Sequence, residues 1–142
     1  MATGSFPSAS WAPMNAPTLG DFEAIAEAAF KALPESFRKL CADLVISVED
    51  FPDEETLEEM DCETPFDLLG LFRGLGLPQN GGRRESGSLP NMIWIYRRPI
   101  IDYWAEHDDT LGEIVTHVLV HEIGHHFGLS DDDMEKIEAA QI

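Results

Sequence analysis

The chain has 142 residues, with 27 acidic and nine basic side chains and a formal net charge of −18. A surface this negative repels phosphate backbones and so excludes nucleic-acid binding, while a solvated acidic face or a basic partner suits it. The 44% hydrophobic fraction is enough for the core of one ordinary domain, and no apolar run reaches the length of a membrane helix.

Residues 1–17 are rich in Ser, Ala and Pro and carry no periodicity, so they read as a disordered N-terminal arm. They lack a basic region followed by an apolar run, so they are no secretory signal, and the protein reads as cytoplasmic. Residues 18–142 read as a single domain. The two cysteines, Cys41 and Cys62, make no disulfide framework and read as buried, reduced thiols.

Thr18 and Asp21 have the spacing of a helix start, and Phe22, Ile25, Ala29 and Leu33 follow as an apolar stripe up to Pro34. A short helical segment over Glu35–Cys41 turns Phe37 and Leu40 inward. Leu44 to Val48 is β-branched and ends at an acidic turn, which predicts a strand. Residues 49–63 hold nine acidic side chains and no basic one. After Pro52 they predict one or two helical turns capped at Asp53 or Thr56, with Leu57 and Met60 touching the core. Their spacing does not match a calcium-binding loop of the EF-hand type.

Leu68 to Phe72 is ambiguous by pattern, and the glycines at 70, 74 and 76 favour a strand over a helix. Residues 78–90 read as a polar loop in which Arg83 and Arg84 are solvated or placed to hold a carboxylate. Asn91 to Tyr96 is the clearest strand, and Pro99 suits the first turn of a helix with Ile100, Ile101, Tyr103 and Trp104 on its apolar face. A last short helix is predicted over residues 132–140, with Met134 and Ile137 packing down. There are no internal repeats. The order of elements predicts an α+β fold, with a small three-stranded sheet packed on one long helix and flanked by others.

That long helix is the chemically informative stretch. Thr110 and Glu113 have capping-box spacing, and Leu111, Ile114, Val115, Val118 and Leu119 recur with helical period. Within it lies His121-Glu122-Ile123-Gly124-His125, an H-E-x-x-H motif. Histidines four apart on a helix lie one turn apart on one face, so both imidazoles can address one metal ion, usually zinc. Glu122, rotated by about 100° from His121, borders such a metal without binding it, as a general base on a metal-bound water must. Gly128 then offers a left-handed turn that ends the helix and brings Asp131 back toward the imidazoles.

The full pattern, H-E-x-x-H-x-x-G-x-x-D over residues 121–131, resembles the zincin metallopeptidases. It is most similar to their small bacterial members, the minimal zincin-like family. The phrases LLGLFRG (68–74) and LPNMIWIYRRPI (89–100) also look like that family, so the resemblance covers about residues 20–140. It implies a minimal zincin-like fold, one Zn2+ per chain held by His121, His125 and Asp131, Glu122 as base, and a peptide or protein substrate. Asp132 and Asp133 fit that spacing less well. The methionine turn that metzincins place well beyond the third ligand has no room here, because Met134 stands only three residues after Asp131.

His126, next to His125, points about 100° away and reads as a structural imidazole. His117 reads as a surface histidine, or alternatively as a residue at the mouth of the site, and His107 as exposed. Tyr96 and Tyr103 read as packing residues, with an oxyanion donor as the alternative. Gly124 costs about 1 kcal/mol relative to alanine inside a helix, which suggests a strand packed close beneath it. Met92–Tyr96 is the candidate edge for an extended peptide. The reading is a zinc-dependent peptide hydrolase; the alternative is a non-catalytic zinc protein that binds a partner.

Overall fold

A computed structural model describes residues 11–74 and 91–140 of the chain. The polar loop predicted over 78–90, with Arg83 and Arg84, lies outside the described residues, as does the first part of the predicted arm. In the later part of that segment, Arg97 Nε donates to the Pro17 carbonyl at 2.6 Å.

The described elements are α1 (Leu19–Ala32), α2 (Glu35–Arg38) running into a 3-10 turn (Lys39–Cys41), β1 (Val45–Glu49), α3 (Glu54–Glu59), β2 (Gly70–Arg73), β3 (Met92–Tyr96), α4 (Arg97–Glu106), α5 (Leu111–His126) and α6 (Asp131–Ala139). The three strands form one mixed sheet in the order β1-β3-β2. β3 is parallel to β1, with Ile46 beside Ile93, and antiparallel to β2, with Phe72 beside Ile93. This is the small three-stranded α+β architecture that the order of elements predicted.

β3 is thus the central strand. Both its edges are occupied, so it cannot be the edge for an extended peptide that its sequence suggested. Its apolar density reflects that burial: Ile93 and Ile95 are fully enclosed, as central-strand residues are when a helical layer covers the sheet. That layer is α5, packed against β2 and β3, with α1 alongside it. Val115, Leu119, Val120 and Ile123 of α5 join Phe22 and Ala26 of α1 in the core.

Several boundaries follow from local chemistry. Thr18 and Asp21 close the expected capping box at the start of α1. α4 begins at Arg97, two residues ahead of Pro99, whose missing N–H falls among the first-turn donors that have no helical acceptor anyway. Arg97 and Arg98 therefore start the helix, and they do not only end the strand. The Arg97 guanidinium also reaches Asp50 at 2.9 Å.

α3 is capped by Asp53. Met60, expected to touch the core, lies past the end of α3 and is exposed, while Leu57 is half-buried. Cys41 is buried as expected, but Cys62 is only half-buried, and both are free thiols. Among the described residues no helix is long and apolar enough to cross a membrane.

Candidate functional site

α5 forms as its sequence dictates. Thr110 Oγ1 accepts from the Glu113 N–H at 3.1 Å, and the Glu113 carboxylate accepts from the Thr110 N–H at 2.8 Å, so two of the unpaired donors at the helix start are satisfied together. The apolar face is buried, and the histidines line another face at intervals of one turn. The ring centroids of His117 and His121 are 3.9 Å apart, and those of His121 and His125 are 5.6 Å apart.

The helix ends as Gly128 predicts. Gly128 has φ of 78°, its N–H donates to the His125 carbonyl, and the Leu129 N–H reaches back to Gly124 at 2.9 Å. These two bonds make a Schellman motif. Ser130 then caps α6, with a second capping box through Asp133. Asp131 is accordingly the first residue of α6, exposed in its opening turn.

α6 runs back along α5, and this brings in a residue the sequence reading passed over. Met134 packs against Gly124, and one turn later Glu138 meets the histidine face. Glu138 Oε1 lies 2.9 Å from His117 Nδ1, and its Oε2 lies 3.1 Å from His121 Nε2. Among the described residues, His117, His121 and Glu138 are the one set of three such side chains whose donor atoms all lie within 4.8 Å of one another. His125 and Asp131 are not in that set. The signal for Glu138 was its spacing of four from the inward-facing Met134, which puts both on one face of α6.

Gly124 does make room for a close neighbour, but that neighbour is a helix and not a strand. A Cβ there would stand 2.5 Å from Met134 Sδ. The close strand contact is at Gly70 of β2, where a Cβ would stand 2.6 Å from Val118 Cγ1 and 3.7 Å from Glu122 Cγ. β2 therefore begins directly beside the motif glutamate.

The electrostatics separate the motif residues. Burial pushes the Glu122 carboxyl above the ordinary glutamate range, against a smaller opposing pull from His125. Burial and then the neighbouring His117 hold the His121 imidazole below the usual histidine value, despite the Glu138 carboxylate. Both shifts favour the uncharged forms, and a neutral imidazole is the form that binds metal. The local donors, imidazole nitrogens and a carboxylate, are the chemistry that zinc takes.

The other aromatic and histidine positions resolve simply. Tyr96 is buried, with its hydroxyl pushed up to about 12 mainly by that burial, so it packs in the core. Tyr103 is exposed and stacks on His107 at 3.7 Å, while His107 Nδ1 lies 2.7 Å from the Tyr103 carbonyl. His126 packs edge-on against Phe72, with centroids 4.6 Å apart.

A cleft of about 1080 Å³ opens between α1 and the first half of α5. Ala28, Ala32, Gly112 and Tyr103 line it, and His117 and Glu138 stand in its wall.

The family model for zincin-like metallopeptidases matches residues 41–141, the whole stretch from the end of the 3-10 turn through α6. The chain belongs to that family. Comparison with curated proteins gives no match.

Proposed function

We propose that this chain is a zinc-dependent peptide hydrolase with Glu122 as its general base and one zinc per chain held by His121, His125 and Asp131. The observation that carries the reading is the setting of Glu122. It sits next to the first motif histidine on α5, its carboxyl is raised by burial, and the first residue of β2 passes beside it. A carboxylate shifted toward neutral pH is a better proton acceptor at working pH than an exposed one.

Zinc, when bound, supplies an acidic water and an electrophile for the carbonyl oxygen. Glu122 takes a proton on its carboxylate and returns it to the leaving amine nitrogen, so the residue ends unchanged. Among the described residues β2 pairs on one side only, and its free edge beside Glu122 is where an extended peptide would add as a strand. Ligation through His121 Nε2 requires Glu138 to release that nitrogen. The free thiols of Cys41 and Cys62 support a reducing, cytoplasmic setting.

A second reading, a zinc protein without catalysis that binds a partner, is favoured by one observation: the Glu138 carboxylate closes over His121 and His117. The two separate in one experiment. Wild type and Glu122→Gln are loaded with zinc and incubated with a broad peptide library. Hydrolysis by wild type, lost in Glu122→Gln while zinc is retained, supports the hydrolase. Cleavage that survives Glu122→Gln removes the base assignment, and no cleavage by zinc-loaded wild type favours the binding protein.

A further inference from the structure

We propose that the α1/α5 cleft is the groove for a basic peptide segment, whose lysine or arginine is held by Asp109 and Glu113 about four residues from the bond that faces Glu122. That the peptide is cut there rests on the hydrolase reading; that it is bound does not.

The cleft is continuous with the motif. Leu69 lines it and directly precedes Gly70, the residue of β2 that passes beside Glu122. Val118 lines it too and packs on the same glycine. A peptide added along the free edge of β2 therefore runs past the start of that strand into the cleft. Glu113 stands nine residues ahead of Glu122, about 13–14 Å along α5. An extended peptide advances about 3.4 Å per residue and covers that distance in about four residues. The volume of about 1080 Å³ is more than a single side chain needs and lies just above the roughly 300–1,000 Å³ of small-ligand sites.

The charge in the cleft has one sign. Asp109, Glu113 and Glu138 line it, and among the described residues no lysine or arginine does. Glu138 is engaged by His117 and His121, which leaves Asp109 and Glu113 for a ligand. Glu113 uses Oε1 for the Thr110 N–H, and a carboxylate has about four acceptor positions, so the cap leaves room for a guanidinium. The same cap holds the Glu113 carboxyl below its ordinary range and keeps it charged at neutral pH. Ala28, Ala32 and Ile114 supply apolar surface for the stem of a long basic side chain. Tyr103, which stacks on His107, adds an aromatic wall suited to arginine.

Gly112 fits the same use. It lies in the first turn of α5, where glycine weakens a helix relative to alanine. Its φ is not left-handed, and nothing lies within 4 Å of where a Cβ would stand. Neither the turn nor the packing requires a glycine there, whereas its small size keeps the cleft open.

The net charge of −18 attracts cationic peptides to the whole surface, so a remote acidic pair serves as the control. Short labelled peptides carry arginine, glutamate or serine at one scanned position. They are titrated into the zinc-loaded full chain bearing Glu122→Gln, which binds without turnover, and binding is read by fluorescence anisotropy. The same peptides are incubated with zinc-loaded wild type, and cleavage is read by mass spectrometry. Arginine peptides are expected to bind at least about tenfold more tightly than their glutamate counterparts. Gly112→Leu fills the groove from an open position, and Ala28→Leu fills it from the exposed side of α1. Asp109→Asn with Glu113→Gln removes its charge. Each change should abolish the arginine preference, and Gly112→Leu should melt no lower than its parent. Glu54→Gln with Glu58→Gln removes the same charge from α3 and should keep the preference. A preference that survives the groove variants, or that falls equally in the α3 pair, overturns the groove. Equal binding of arginine and glutamate peptides overturns it as well. Cleavage by wild type without the preference overturns the groove and leaves the hydrolase standing. Groove-dependent binding of arginine peptides with no cleavage supports the groove and removes the hydrolase.

Discussion

Gly70 of β2 lies against Val118 of α5 so closely that a methyl group at position 70 would stand 2.6 Å from Val118 Cγ1 and 3.0 Å from the Trp94 carbonyl oxygen. The Val118 side chain is branched and nearly buried, and the other neighbour is backbone, so neither yields easily. Gly70→Ala is therefore expected to cost about 1–3 kcal/mol through overpacking. It should also push β2 away from Glu122, whose Cγ is 3.7 Å from the same point. Urea unfolding checks the first effect as a lowered midpoint at constant slope. An unchanged midpoint would mean that the sheet and helix are not in the close register described.

Gly124 and Met134 make a second tight pair, but a forgiving one. A Cβ at position 124 would meet Met134 Sδ at 2.5 Å and Cγ at 3.0 Å, both in a flexible side chain. Alanine also gains about 1 kcal/mol of helix propensity over glycine. Gly124→Ala alone should thus change stability by no more than about 1 kcal/mol, while Met134→Ala, which empties a fully buried site, should cost about 2–5 kcal/mol. The double variant should cost less than the sum, because the new methyl group fills part of the void. A double-mutant cycle measures the coupling, and strict additivity would show that the two residues do not touch.

The elements most legible in the sequence were those whose signals are local. Thr110 and Glu113, Thr18 and Asp21, and the Gly128 turn all act within a few residues, and each appears where its spacing placed it. β1, β3 and the long helix were legible from composition and periodicity, whereas β2 was told from a helix only by the glycines at 70, 74 and 76. What was not legible depends on which elements become neighbours. The pattern of Met92–Tyr96 says that the strand is buried, not that β1 and β2 flank it. Gly124 announces a close neighbour without saying whether that neighbour is a strand or α6. Glu138 could be placed beside His117 and His121 only once the direction of α6 was known, and the turn at Gly128 sets that direction through tertiary packing.

Gly128 itself offers a clean measurement. Its φ of 78° is left-handed, and nothing lies within 4 Å of where a side chain would begin. The cost of Gly128→Ala is therefore conformational alone, about 1–2 kcal/mol. Gly128→Asn should recover part of it, since asparagine tolerates this region better than alanine does. Chemical denaturation of the three proteins gives the order Gly, Asn, Ala. A variant with alanine as stable as wild type would mean that α5 does not end in this turn.

Acid sensitivity follows from three carboxylates that serve the backbone. Backbone N–H groups of Thr56, Thr64 and Thr110 donate to Asp53, Asp67 and Glu113 respectively, and hold each carboxyl below its ordinary range. A group whose folded value is depressed stabilises the fold fully above its unfolded value of about 4 and loses that contribution as the pH falls through the lower folded value. Melting temperature is therefore expected to drop as the pH is lowered from about 5 toward 3. Glu113→Ala removes one of these contributions together with the start of α5, so its melting curve should lie below wild type at neutral pH and approach it in acid. Glu113→Gln keeps a side-chain acceptor for the Thr110 N–H but cannot titrate, and should fall between the two at neutral pH. A constant gap between wild type and Glu113→Ala across the acid range would show that the capping carboxylate carries no charge-dependent stability.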